Sequence, residues 1–159
     1  MTSIAPHVKG SFVNLDHVNL VVRDITVAKR FYSEVVGLVV SEEFDIEEDS
    51  LSEGLGVPDA RLHVIFWAVP GTDTRIEMVQ YARSADSTIQ SPNANAPGFG
   101  HLALRVDDIW AVHRTLVARG ARFLSRPVTV GGGTQFCFFH DPEGNIIELI
   151  QPETSAPPA

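Results

Sequence analysis

Apolar and polar positions alternate through Val18, Leu20 and Val22, and again through Leu102, Leu104 and Val106. A period of two predicts a strand with one face buried. Each run gives way to an aspartate, Asp24 or Asp108, placed to cap a helix. Apolar residues at helical spacing follow: Ala28, Phe31 and Val35 in the first case, Ala111 or Val112 with Leu116 in the second. A glycine closes each stripe, Gly37 and Gly120, suited to the left-handed position after a helix. Strand patterns then return over 61–69 and 74–81, joined by Pro70-Gly71-Thr72-Asp73, and over 135–140 and 145–151, joined by Asp141-Pro142-Glu143-Gly144. A further strand is predicted in each half, over 39–44 and 122–127.

The two halves are one pattern written twice. His17 aligns with His101, Asp24 with Asp108 and Ile25 with Ile109 at an offset of 84; Glu77 aligns with Glu148, and Gln80 with Gln151, at an offset of 71. The second copy is therefore 13 residues shorter between its histidine and its glutamate, and the extra length of the first falls in 42–59. The order βαβββ, repeated, predicts an α+β fold of two tandem modules in a single domain over 11–155. Module one covers about 13–81 and module two about 99–151. A Ser-, Asn-, Ala- and Pro-rich linker over 82–98 joins them, and 1–10 and 156–159 are expected to be flexible tails. Neither half alone buries much core, so the two should fold together.

Strand parity then selects a set of polar residues. His17 shares a face with Leu15, Asn19 and Val21; His101 with Phe99, Ala103 and Arg105; Glu77 with Arg75, Val79 and Tyr81; Glu148 with Ile146 and Ile150. In each module the histidine and the glutamate are expected on the face away from the helix. A pseudo-two-fold pairing of like modules can bring both pairs to one point. Two imidazoles and two carboxylates suit one divalent ion, Zn, Ni, Co, Mn or Fe, with room left for substrate oxygens. A single histidine or glutamate in a strand is more often structural than a ligand. What lifts His17, Glu77, His101 and Glu148 above that reading is their recurrence at matched places in a duplicated pattern. Either glutamate, Glu148 or Glu77, is also a candidate proton-transfer base.

Composition narrows the partners. The chain has 159 residues, 44% of them hydrophobic, and a formal net charge of −8, which disfavours nucleic acid. Cys137 is the only cysteine, so no intrachain disulfide forms. The first ten residues lack the apolar run of a signal peptide, and no stretch approaches a membrane span. A cytoplasmic protein with no membrane partner is expected. Cys137 reads as buried filler, His7 and His113 as solvated, His140 as structural or solvent-facing, and His63 as a candidate pocket residue of uncertain face. The stretch 42–59 reads as a mobile lid or a solvated acidic loop. Phe66, Trp67, Phe136 and Phe138 are candidates for an apolar cup wall, though strand aromatics are more often core.

The segments that carry these features resemble the vicinal oxygen chelate superfamily: Leu-Asp-His17-Val with Phe31-Tyr32 and Gly37-Leu; Arg-Ile-Glu77-Met; Gly98-Phe-Gly-His101-Leu-Ala with Asp108-Ile; and His-Asp141-Pro-Glu-Gly144-Asn-Ile-Ile-Glu148-Leu. The resemblance runs from about Leu15 to Gln151. It implies a cup-shaped mixed β-sheet around a metal site, with helices on the outer face, and a small-molecule substrate with vicinal oxygens chelated by the ion. A ligand set of the His, Glu, His, Glu type is similar to glyoxalase I. That implies a lyase or isomerase that moves a proton beside a chelated carbonyl, through an enediolate, with Glu148 or Glu77 as ligand and base. The continuation Met-Val-Gln-Tyr after Glu77, and the loop 128–133, depart from the glyoxalase I pattern. A methylmalonyl-CoA epimerase-like enzyme shares the plan. An extradiol dioxygenase needs only His17, His101 and Glu148, and Glu77 argues against it. A non-catalytic drug-binding protein of this fold generally lacks the ligands. A homodimer is expected, with sites formed within one chain or shared between two.

Overall fold

The computed structural model describes residues 14–83 and 100–153. The tails, and all of the linker beyond its first two residues and before module two, lie outside them. Strand β1 (His17–Val21), helix α1 (Ile25–Arg30), β2 (Val39–Ile46), helix α2 (Asp49–Leu55), β3 (Leu62–Ala68) and β4 (Arg75–Tyr81) make the first module. Strand β5 (Leu102–Arg105), helix α3 (Ile109–Ala118), β6 (Arg122–Phe123), β7 (Val128–Val130), β8 (Thr134–His140) and β9 (Ile146–Gln151) make the second. The α+β class, with two mixed sheets and few helices, is the one the chain adopts.

The sheets are built alike. In the first the order is β1-β4-β3-β2, in the second β5-β9-β8-β6, with β7 also paired to β8. In each, the opening strand runs parallel to the last strand of its module and the rest is antiparallel. A parallel pair needs a crossover, and the helix supplies it.

The duplicated aspartates cap those helices. Asp24 Oδ1 accepts from the backbone N–H groups of Thr26 and Val27 at 3.0 and 3.1 Å, and Asp108 Oδ1 accepts from Ala111 N–H at 2.9 Å. A second capping residue reaches in from the sheet. Gln80 Oε1 accepts from Ile25 N–H at 2.8 Å, and Gln151 Oε1 from Ile109 N–H at the same distance. The repeat of Gln80 at Gln151 thus has a structural purpose: each ties the first turn of a helix to the end of the strand beneath it. Helix α1 continues into a π-helical segment over Phe31–Val36 and stops at Gly37, whose φ of 92° is left-handed.

One core joins the modules. Leu20, Ile25, Ala28, Tyr32, Trp67, Ile76 and Met78 of the first pack in the same cluster as Ile109, Leu116, Cys137, Phe139, Ile147 and Leu149 of the second. These are the helices and the helix-side faces of both sheets. Polar contacts reinforce the joint. The Tyr32 hydroxyl donates to Asp141 Oδ2 at 2.9 Å in a buried setting, Arg23 Nε donates to Glu143 Oε2 at 2.7 Å, and Arg119 Nη1 donates to the Val35 carbonyl at 3.0 Å.

Three expectations change. The strand predicted over 122–127 splits into β6 and β7, because the chain bends at Leu124–Arg126 ahead of Pro127, which offers no N–H to a ladder. His113 is half-buried instead of solvated: its ring centroid lies 4.3 Å from that of Phe123, and burial lowers its pKa. The stretch 42–59 is solvated over most of its length, as one of its two readings had it, but it is not a loop throughout. β2 runs on to Ile46, and α2 docks Leu51 on a second small cluster of Leu62, Val64, Phe66 and Val79. The seven residues of that helix lie within the stretch that holds the extra length of module one.

Candidate metal centre

The pleat decides what each sheet shows on its far face. In register across the first sheet, Asn19 pairs with Glu77 and Glu77 with Phe66. In the second, Ala103 pairs with Glu148 and Glu148 with Phe138. Paired residues share a face, and this face is opposite to Met78, Trp67, Leu149 and Phe139, which enter the core. His17 lies two residues before Asn19, and His101 two before Ala103. Each histidine therefore stands on the same face as its glutamate.

The resulting pairs are close copies. His17 Nε2 lies 3.3 Å from Glu77 Oε2, and His101 Nε2 lies 3.0 Å from Glu148 Oε2. An aromatic edge braces each imidazole: Phe66 at 5.7 Å from His17 and Phe138 at 5.4 Å from His101, centroid to centroid. The histidine side chains are 39% and 41% exposed and the glutamates 18% and 12%, so all four reach the surface.

The spacing fits a shared ion. Two donors about 2.1 Å from a metal and at right angles around it stand about 3.0 Å apart. The chemistry at His17 agrees. Its Nδ1 lies 2.8 Å from Asp16 Oδ1, and a neutral imidazole has one N–H and one lone pair. With the proton on Nδ1, the Nε2 lone pair faces a carboxylate, and only a cation or a further proton between them makes that contact favourable. Asp16 is held below the usual carboxylate range by its hydrogen bond to His17 and by Arg75.

The four candidates come together two by two. Among the described residues no group of three or more His, Cys, Asp or Glu side chains is placed to hold one metal ion. The reason is the common core: both helix-side faces turn inward to it, so the two faces with the histidine–glutamate pairs point away from it. The remaining candidates sort by parity. Trp67 is fully buried on the helix side, whereas Phe66 and Phe138 flank the histidine–glutamate pairs. His63 is in register with Gln80 and so lies on the helix side. There it lines a groove of about 550 Å³ with Lys29, Glu43 and Asp45. It bonds Asp45 at 2.6 Å and Glu43 at 3.1 Å, and its pKa is raised, chiefly by Asp45. His140 Nδ1 meets the Gly144 carbonyl at 3.2 Å within its own hairpin. Cys137 is buried, and its thiol is pushed up to about 11.

Two residues of the face that carries the histidine–glutamate pairs had no individual signal in the sequence. Asn19 Nδ2 donates to Glu77 Oε2 at 2.8 Å. Arg75 lies with its guanidinium carbon 4.1 Å over the Phe66 ring and bonds Asp16 and Glu42. Parity placed both on the right face; their partners became visible only with the side chains in place.

Comparison with known proteins bears on the whole chain. The sequence pattern of the Glyoxalase/Bleomycin resistance protein/Dioxygenase superfamily matches residues 14–149. A lactoylglutathione lyase of Pseudomonas putida is 28% identical, over 96% of this chain and 92% of its own length. A 2-epi-5-epi-valiolone epimerase of an Actinomyces species is 30% identical, over 91% of this chain and 82% of its own. The crystal structure of a glyoxalase family protein from Bacillus cereus superimposes with a TM-score of 0.82 at 21% identity, over 92% of this chain and 98% of that one, a likeness of fold.

Proposed function

Because this chain belongs to the Glyoxalase/Bleomycin resistance protein/Dioxygenase superfamily, we propose that it is a divalent-metal-dependent lyase or isomerase that moves a proton at the carbon next to a carbonyl. The observation that carries this is the twice-repeated pairing of an imidazole Nε2 with a glutamate Oε2, at 3.3 and 3.0 Å, on equivalent strands of both sheets. His17, Glu77, His101 and Glu148 would hold the ion. Bound there, it supplies Lewis-acid polarisation of a substrate carbonyl, which acidifies the adjacent C–H.

The chain's own residues do the rest. Glu148 is the proton carrier: it lies beside Ala103, which leaves the carboxylate free of side-chain restraint at that position. Glu77, tied to Asn19, is the more rigid ligand. Phe66 and Phe138 wall the pairs and exclude water, which strengthens charge effects near the ion. With the ligand-bearing faces turned away from the core, the four donors meet when module one of one chain faces module two of another. A homodimer with two shared sites is part of this proposal, and a small molecule with vicinal oxygens is its substrate.

Elemental analysis of the purified protein tests the centre. About one divalent metal per chain, lost in a His17→Ala, His101→Ala double variant, supports it; no metal after supplementation overturns it. The reaction class is tested in deuterated water. Exchange of the hydrogen next to the carbonyl supports proton transfer, whereas oxygen consumption without exchange points to a dioxygenase.

A further inference from the structure

The two ligand pairs match, but their surroundings do not. Around His17 a closed loop of contacts forms. Asp16 Oδ1 meets Nδ1 at 2.8 Å. Arg75, in register with His17 on the neighbouring strand, donates from Nη2 to the same Oδ1 at 3.0 Å, and its backbone N–H donates to the Asp16 carbonyl at 2.9 Å. The Arg75 guanidinium lies over Phe66, and Phe66 sets its ring edge-on to His17. Each neighbour of the imidazole is thereby fixed by another. Arg75 donates to two carboxylates, Asp16 and Glu42, and so holds Asp16 from one side while anchored on the other. Glu77 has its own tie in Asn19. In the duplicated pattern the places of Asp16, Asn19 and Arg75 fall to Gly100, Ala103 and Ile146. None of these has a polar side chain.

We propose that Asp16, clamped by Arg75, is the positioning carboxylate of the metal centre. It keeps the proton on His17 Nδ1 and leaves Nε2 aimed at the ion. With Asn19 on Glu77, it makes module one the preformed half-site that holds the ion, while the half-site of His101 and Glu148 is the compliant one. This assignment rests on the metal-centre function proposed for these four residues. The physical ground is general. A ligating histidine depends on the acceptor at its other nitrogen for tautomer and ring orientation. Asp16 is 65% exposed, so its plain charge attraction is screened; orientation is what it contributes.

The test is Co(II) affinity by chelator competition, with the visible spectrum of the bound ion, on the full chain. Asp16→Ala is expected to weaken Co(II) binding by about 10- to 100-fold and to shift the spectrum. Asp16→Asn, which keeps an acceptor oxygen at Nδ1, should recover part of the loss, a rescue that a purely structural role for Asp16 does not produce. Gly100→Ala should be silent, since the added carbon meets nothing within 4 Å among the described residues. His17→Ala should cost more affinity than His101→Ala. Wild-type affinity in Asp16→Ala, with affinity lost in His17→Ala, overturns the positioning role and leaves the metal centre standing. The reverse order for the two histidines overturns the assignment of the preformed half. No Co(II) binding by the wild type, or equal binding in His17→Ala, overturns the metal centre and the positioning role together.

Discussion

Asn19 stands directly across from Glu77 and donates to its carboxylate at 2.8 Å; at the same place in the other sheet, Ala103 stands across from Glu148 with nothing to donate. A base has to change partners during a proton transfer, and a fixed hydrogen bond opposes that. Ala103→Asn should give Glu148 the restraint that Glu77 has. The expected result is a kcat lower by about tenfold, a cost of about 1.4 kcal/mol in the barrier, with metal content unchanged. An unchanged kcat would remove Glu148 from the role of mobile base.

Mixing two inactive variants separates shared sites from single-chain ones. In a dimer with shared sites, one Glu77→Gln chain and one Glu148→Gln chain leave one site doubly altered and the other fully wild type. Random reassociation makes half the dimers mixed, so activity should return to about a quarter of the wild-type value. Sites contained within one chain give no recovery on mixing.

The joint between modules predicts a stability effect. Asp141 is 1% exposed and accepts from the Tyr32 hydroxyl, from the Glu143 and Asn145 backbone N–H groups and from Asn145 Nδ2. Burial and the neighbouring Asp141 raise the Tyr32 pKa well above its ordinary value, so the phenol stays a donor. Tyr32→Phe removes one of these bonds and should cost about 1–2 kcal/mol. Asp141→Ala also strips the hairpin of its acceptor and should cost more. Urea unfolding checks both; a Tyr32→Phe protein as stable as wild type would show that the bond adds nothing net.

His63 gives the pH dependence a sign. Its folded pKa is raised, chiefly by Asp45 and further by Glu43, against the opposing effect of burial. The stabilisation is therefore complete below the unfolded histidine value, about 6.5, and is lost as pH rises through the folded one. The side chain is 33% exposed, so the effect should stay below about 1 kcal/mol. Thermal unfolding of wild type and His63→Gln should differ more at pH 6 than at pH 8.5. An equal or reversed difference refutes the coupling.

Cys137 should react slowly with a thiol reagent in the folded protein, being buried with its thiol pushed up to about 11, and at the ordinary rate once denatured. Fast labelling of the folded chain would place it outside the core.

Much of this was legible from periodicity. The alternation at Val18-Leu20-Val22 and Leu102-Leu104-Val106 gave the strands their faces. The repeated aspartates marked real helix caps, and the offset copies of histidine and glutamate fell on matching strands. The pairing of His17 with Glu77, and of His101 with Glu148, follows from parity plus the β1–β4 and β5–β9 register. Contacts that depend on how the modules pack were not legible. Nothing local in the sequence says that Tyr32 will meet Asp141, 109 positions away, or that α1 and α3 will share a core and turn the histidine–glutamate pairs outward. The packing of Leu51 of α2 on its small cluster was hidden in an acidic stretch for the same reason.

The common core also sets how such a dimer is strung together. In the proposed dimer four modules would form a closed ring in which two kinds of joint alternate: within a chain the modules are fused by folding, and between chains they would meet at the faces that carry the histidine–glutamate pairs. Each ion would then act as a clasp on a joint that dilution can open, while the fused joints persist. Loading with metal and holding the dimer would be one equilibrium, so the metal content of the protein should rise with its concentration even at fixed free metal.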